Sequence, residues 1–123
     1  MFGLKRKRAT ETAVEAAQPL LRSLQSAGID MKRLWADPYF LGFMQAFLAR
    51  RIRVASKDAV FGPALLQAVA DAFGAISGRS GVAIVRRTAP LVQEGDPAYT
   101  EGYRNAEKII LIAHGSRAFE GEP

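Results

Sequence analysis

The chain has 123 residues, of which 49% are apolar and 24% are charged, and this is the size and composition of a single globular domain rather than a disordered segment. It contains no cysteine, which excludes a disulfide scaffold and cysteine-ligated zinc, and no apolar run has the length of about 20 residues that a transmembrane helix needs. The net charge of +5 is concentrated in residues 1–57, where eleven basic residues oppose four acidic ones, whereas the remainder holds six basic and eight acidic residues.

The chain begins with a short basic segment. Its cations are Lys5, Arg6, Lys7 and Arg8. No apolar stretch follows them, so the segment does not have the pattern of a secretory signal. Because no periodic apolar face includes residues 1–8, we predict a flexible basic tail there, followed by one helical domain over residues 9–115.

A first helix is predicted from about Thr10 to Ala27. Its apolar residues recur at three- and four-residue steps: Val14, Ala17, Leu21 and Leu24. Pro19 interrupts the pattern, so the helix either kinks there or restarts with the proline in its first turn. Gly28 is expected to end the helix as a C-terminal cap. In the connector that follows, Trp35 is expected to be buried, since large aromatic residues beside a core helix usually are.

The most aromatic stretch of the chain predicts a central core helix. Asp37 is a capping residue and Pro38 fits the first helical turn, where its missing N–H costs nothing. The apolar face consists of Phe40, Phe43, Met44, Phe47 and Leu48. The helix ends on the cations Arg50, Arg51 and Arg53, which suit the negative end of its dipole.

The next helix has the clearest amphipathic pattern in the sequence. We predict that it starts near Ser56-Lys57-Asp58, with Asp58 as a cap and Pro63 in the first turn. Its apolar face is formed by Phe61, Leu65, Ala68, Val69, Ala72, Phe73 and Ile76. The apolar arc is wide and rich in alanine, which permits a neighbouring helix to approach closely.

Two further elements are predicted in the last third of the chain. Residues 81–86 fit either a helix or a short buried strand, and we favour a helix that is kinked near Pro90. Asp96-Pro97 then repeats the start signal of the central helix, and a last helix is expected to end near Gly115. Residues 116–123 are predicted to form a flexible tail. The fold prediction is therefore an all-α, single-domain bundle of four or five helices.

The sequence assembles no recognisable active site. His114 is the single histidine, so no histidine pair is present to bind zinc. Asp37, Asp58 and Asp96 each precede an apolar-periodic run, which capping explains. We therefore predict neither enzymatic activity nor a cofactor.

The leading functional hypothesis is a small cytoplasmic protein that acts through protein–protein interaction and forms a homodimer. The predicted self-association face consists of Phe61, Leu65, Ala68 and Ala72, on a helix too widely apolar to be covered from one side. An alternative is weak binding of nucleic acid or an anionic membrane surface by the basic N-terminal half. Its candidate contacts are Lys5, Arg6, Lys7, Arg8, Arg50, Arg51 and Arg53. A third hypothesis is an apolar small ligand held between helices.

Overall fold

The computed structural model describes the backbone of residues 2–120 and the side chains of residues 3–109, and within these residues every regular element is a helix. The all-α prediction is confirmed, but the number of helices is six within the described range, not four or five. The helices are α1 (Phe2–Ser26), α2 (Met31–Leu34), α3 (Pro38–Ala55), α4 (Gly62–Ser77), α5 (Gly81–Gln93) and α6 (Pro97–Glu120). Helix α3 is central, as predicted, since it contacts α1, α4, α5 and α6.

Helix α1 begins eight residues earlier than predicted and takes in the basic segment that was assigned to a tail. Lysine and arginine are good helix formers, so nothing in that segment except Gly3 opposes the helix. Ala9 is buried, and it starts a stripe at four-residue steps that faces the core. That stripe consists of Ala9, Ala13, Ala17 and Leu21. Pro19 is exposed within the continuous helix, and Gly28 ends it at φ +84°, as expected of a C-terminal cap.

The short helix α2 is the sixth helix, the one that was not predicted from the sequence. Asp30 caps it by accepting a 3.0 Å hydrogen bond from the backbone N–H of Lys32. Trp35 follows directly and is 3% exposed, so its predicted burial is confirmed. Its ring meets the rings of Phe40 and Phe73 edge-on, at centroid distances of 5.1 and 5.9 Å, and this aromatic cluster joins α3 to α4.

Helix α3 starts where its sequence predicts. The Asp37 carboxylate accepts hydrogen bonds from the backbone N–H groups of Tyr39 (2.8 Å) and Phe40 (3.4 Å). Its buried stripe contains Phe40, Met44, Leu48 and Ile52. Phe43 and Phe47 are half-buried beside this stripe and stack on each other at 6.5 Å.

The predicted start of α4 near Asp58 is wrong, because the chain turns there instead. Ser56 is the C-cap of α3, and Lys57 and Asp58 have positive φ angles of 53° and 62°, a left-handed conformation in which non-glycine residues do not continue a right-handed helix. Asp58 accepts a 3.2 Å hydrogen bond from Arg53 Nε, so it closes the turn after α3 and does not cap α4. Helix α4 begins at Gly62, with Pro63 in its first turn as predicted.

Helix α5 begins at Gly81, so residues 81–86 are helical and not a strand. Ser80 caps the helix by accepting a 3.2 Å hydrogen bond from the backbone N–H of Ala83. A Cβ at Gly81 would overlap the carbonyl group of Ala70, so α5 starts directly against the backbone of α4.

Helix α6 packs mainly on α3, and two glycines set their closest approach. A Cβ at Gly42 would overlap the carbonyl oxygen of Tyr99, and a Cβ at Gly102 would overlap that of Tyr39. Asp96 caps α6 as predicted, by accepting a 3.0 Å hydrogen bond from the backbone N–H of Tyr99.

The far end of α6 differs from the prediction. The helix continues past Gly115 to Glu120, because a glycine inside a helix weakens it by only about 1 kcal/mol and does not have to end it. Most of the segment predicted as a C-terminal tail is therefore helical, and residues 121–123 lie outside the described residues.

Candidate functional site: two surface features beside helix α4

The predicted self-association face does not form one surface. Ala68 and Ala72 are fully buried within the chain, Leu65 is half-buried, and Phe61 is 67% exposed. The two alanines therefore cannot contact a partner. The reason is that α1, α3 and α5 of the same chain cover α4, so its wide apolar arc does not need a second copy for cover on these sides.

An exposed apolar groove lies instead between α4 and α5, and we call it the α4–α5 groove. It is lined by Pro63, Leu66, Gln67, Ala70, Val82, Val85 and Arg86. Leu66 of α4 is 49% exposed and Val82 of α5 is 47% exposed. The groove therefore exposes one large apolar side chain from each of its two helices. Leu66 carries no periodic signal in the sequence, because it lies beside the apolar stripe of α4 and not on it.

One basic and one acidic side chain lie close to this groove. Arg86 lines it, and among the described residues Arg86 takes part in no ion pair. Asp71 lies one turn along α4 from Gln67, whose side-chain amide donates a 3.0 Å hydrogen bond to the Asp71 carboxylate. The groove thus offers an apolar centre with one cation and one anion near it on a single chain.

The predicted basic contacts are separated by the fold. Lys5, Arg6, Lys7 and Arg8 lie on the first turns of α1 and are exposed or half-exposed. The guanidinium of Arg51 lies over the ring of Phe47, 5.4 Å from its centroid, in a cation–π contact. Arg53 pairs with Asp58, and Arg50 and Arg53 line one cleft together.

That site is a cleft between α3, α4 and α6, and we call it the Arg50–Arg53 cleft. It has a volume of about 190 Å³ and is lined by Ala46, Ala49, Arg50, Arg53, Leu65, Tyr103 and Glu107. The two arginines lie three residues apart and therefore on one face of α3, which the sequence indicates. Tyr103 and Glu107 come from α6, about fifty residues away, and no local pattern connects them to the arginines.

Tyr103 keeps its proton in this environment. Burial raises the pKa of Tyr103, the negative charge of Glu107 raises it further, and Arg53 opposes the shift. Because a phenol already has a pKa near 10, a raised pKa leaves the hydroxyl protonated at neutral pH. Tyr103 is therefore available as a hydrogen-bond donor at the cleft.

The described part of the chain shows neither a metal-ligating cluster nor a single helix that could span a membrane. The described residues contain no group of three or more His, Asp or Glu side chains that could hold a metal ion, and the side chain of His114 lies outside them. Over the same residues, no single helix is long and apolar enough to cross a membrane. Helices α4 and α5 reach that length and hydropathy only as a pair, with a bend of 117° between them.

Comparison with known proteins adds no further assignment to this geometry. No protein family, no curated protein and no solved structure matches the chain.

Proposed function

We propose that this protein is a small helical interaction protein that self-associates as a two-fold dimer through the α4–α5 groove. The observation that carries the proposal is the pair of half-exposed side chains, Leu66 of α4 and Val82 of α5, that line the same groove. Burial of apolar surface favours association by about 25 cal/mol per Å², so side chains of this size gain free energy when a partner covers them.

A second copy of the chain is the occupant that the surrounding charges favour. In a two-fold interface, each residue of one copy meets the equivalent surface of the other copy. Arg86 and Asp71 lie on the two helices that form the groove, so the dimer brings the cation of one copy toward the anion of its partner. Such complementarity fixes the orientation of an interface more than it strengthens it.

The proposal is tested by placing a charge in the groove. Val82→Arg should convert the dimer to a monomer, because it puts a desolvated cation at the centre of the interface. Val54→Arg is a matched control, since Val54 is also a helical valine with 47% exposure but does not line the groove. Sedimentation velocity of both variants and the unmodified chain, at equal concentrations, gives the masses.

A monomeric Val82→Arg variant beside a dimeric Val54→Arg variant is the expected outcome. Both substitutions are at exposed positions, so circular dichroism should show the same helix content in all three proteins. If Val82→Arg remains as dimeric as the control, the groove is not the interface. If both variants become monomeric, the effect comes from net charge, and the proposal is wrong.

A further inference from the structure

The Arg50–Arg53 cleft combines an apolar base with two cations. Ala46, Ala49 and Leu65 supply the apolar surface, and the side chains of Arg50 and Arg53 lie beside it. Its volume of about 190 Å³ is below the range of about 300–1,000 Å³ that holds drug-sized ligands, so it suits a smaller molecule.

The turn after α3 holds one of the two cations in place. Asp58 accepts a 3.2 Å hydrogen bond from Nε of Arg53, and Lys57 and Asp58 adopt positive φ angles in doing so. Non-glycine residues in this left-handed conformation carry backbone strain, which is often found beside binding sites. Since Nε is engaged, the terminal nitrogens of the guanidinium remain available to an anion.

The charges around the cleft set the charge of the ligand. Arg50 takes part in no ion pair among the described residues, whereas Glu107 places a negative charge on the opposite helix. Because Asp58 already pairs with Arg53, Arg50 supplies the charge that attracts one anionic group, and Arg53 adds hydrogen-bond donors. A second negative charge on the ligand would be opposed by the carboxylates of Asp58 and Glu107.

We propose that the Arg50–Arg53 cleft binds a small monocarboxylate that carries an apolar group. Arg50 and Arg53 contact the carboxylate through charge-assisted hydrogen bonds, and the Tyr103 hydroxyl donates a further one. The apolar group packs on Ala46, Ala49 and Leu65. The site belongs to one chain and is distinct from the α4–α5 groove, so it does not depend on dimerisation.

An NMR titration of the full chain with hexanoate tests this site. Backbone amide signals of Ala46, Ala49 and Leu65 should shift with a common dissociation constant. Arg50→Gln should raise that constant about tenfold through loss of a charge-assisted hydrogen bond. Arg51→Gln removes the same charge from the adjacent residue, whose guanidinium lies over Phe47 outside the cleft, and should leave the constant unchanged.

Three further measurements test separately the charge near the cleft, the charge of the ligand and its apolar group. Glu107→Gln should tighten hexanoate binding, and a gain of affinity cannot come from misfolding. Hexanamide, which lacks the charge, and inorganic phosphate, which lacks the apolar group, should both bind at least tenfold more weakly than hexanoate. The proposal is overturned if hexanoate shifts no cleft signals, if Arg50→Gln and Arg51→Gln weaken binding equally, if Glu107→Gln leaves the affinity unchanged, or if either comparison ligand binds as tightly.

Discussion

Tyr99 shows how burial at one position makes the fold sensitive to alkaline pH. The side chain is 5% exposed where α6 lies on α3, and its ring lies 6.3 Å from that of Tyr103. Burial, with a smaller contribution from Tyr103, raises the pKa of Tyr99 from 10.0 to about 12. The folded protein therefore binds the phenolic proton more tightly than the unfolded chain does.

This difference in pKa between the folded and the unfolded protein predicts the pH range over which stability is lost. The stabilisation is fully present below pH 10, the pKa of the unfolded phenol, and disappears as the pH rises toward about 12. Tyr99→Phe removes the titrating group, so its free energy of unfolding should fall less steeply over this interval. Urea unfolding of both proteins at several pH values between these limits gives the two slopes, and equal slopes would show that Tyr99 does not titrate as described.

At the scale of helices, the contact between α3 and α6 depends on two residues without side chains. The backbone of Gly102 lies directly on the Tyr39 carbonyl group, and Gly42 lies in the same way on that of Tyr99. Close to this crossing, the side-chain amide of Asn105 donates a 2.8 Å hydrogen bond to the hydroxyl of Tyr39. The helices can approach this closely only because neither glycine has a Cβ.

Gly102→Ala should therefore destabilise the protein, although alanine is the better helix former. The added methyl group meets backbone that cannot move independently, and overpacking of this kind costs about 1–3 kcal/mol or more. Gly3→Ala is the control, because a Cβ at Gly3 has no neighbour within 4 Å; that variant should be neutral or up to about 1 kcal/mol more stable. Urea unfolding measures both, and a stabilising effect of Gly102→Ala would contradict the described contact.

The elements that sequence predicts best are those whose signals are local. Asp37-Pro38 and Asp96-Pro97 start α3 and α6 as expected, because the capping carboxylate and the helix it caps are adjacent in the chain. Asp58 shows the limit of this argument. It has the residue type of a cap, but two positive φ angles and its bond to Arg53 place it in a turn instead.

Features that depend on residues far apart in the chain have no local signal in the sequence. The alanines of α4 indicate that a helix comes close, but they do not show whether that helix belongs to the same chain. The structure shows that α1, which has its own alanine stripe, is one of the helices packed on α4. The Arg50–Arg53 cleft likewise needs Tyr103 and Glu107 from α6, and no spacing in the sequence brings these residues to α3.

In the molecule as a whole, α3 is surrounded by other helices, whereas α4 and α5 keep an outer side that no other helix covers within the described residues. The α4–α5 groove lies on that outer side, and the Arg50–Arg53 cleft lies where α4 approaches α3 and α6. Both features border α4, where Leu65 lines the cleft and Leu66 lines the groove. Self-association and ligand binding are thus proposed for separate surfaces, and each can be tested without the other.

The mass of the unmodified 123-residue chain in solution decides whether the protein self-associates. Light scattering coupled to size-exclusion chromatography, repeated over a range of protein concentrations, measures this mass. We predict the mass of two chains at the higher concentrations, without growth beyond it, because a two-fold interface is closed by a single partner. The mass of one chain at every concentration would contradict the proposed dimer, and a mass that continued to rise beyond two chains would contradict its two-fold symmetry.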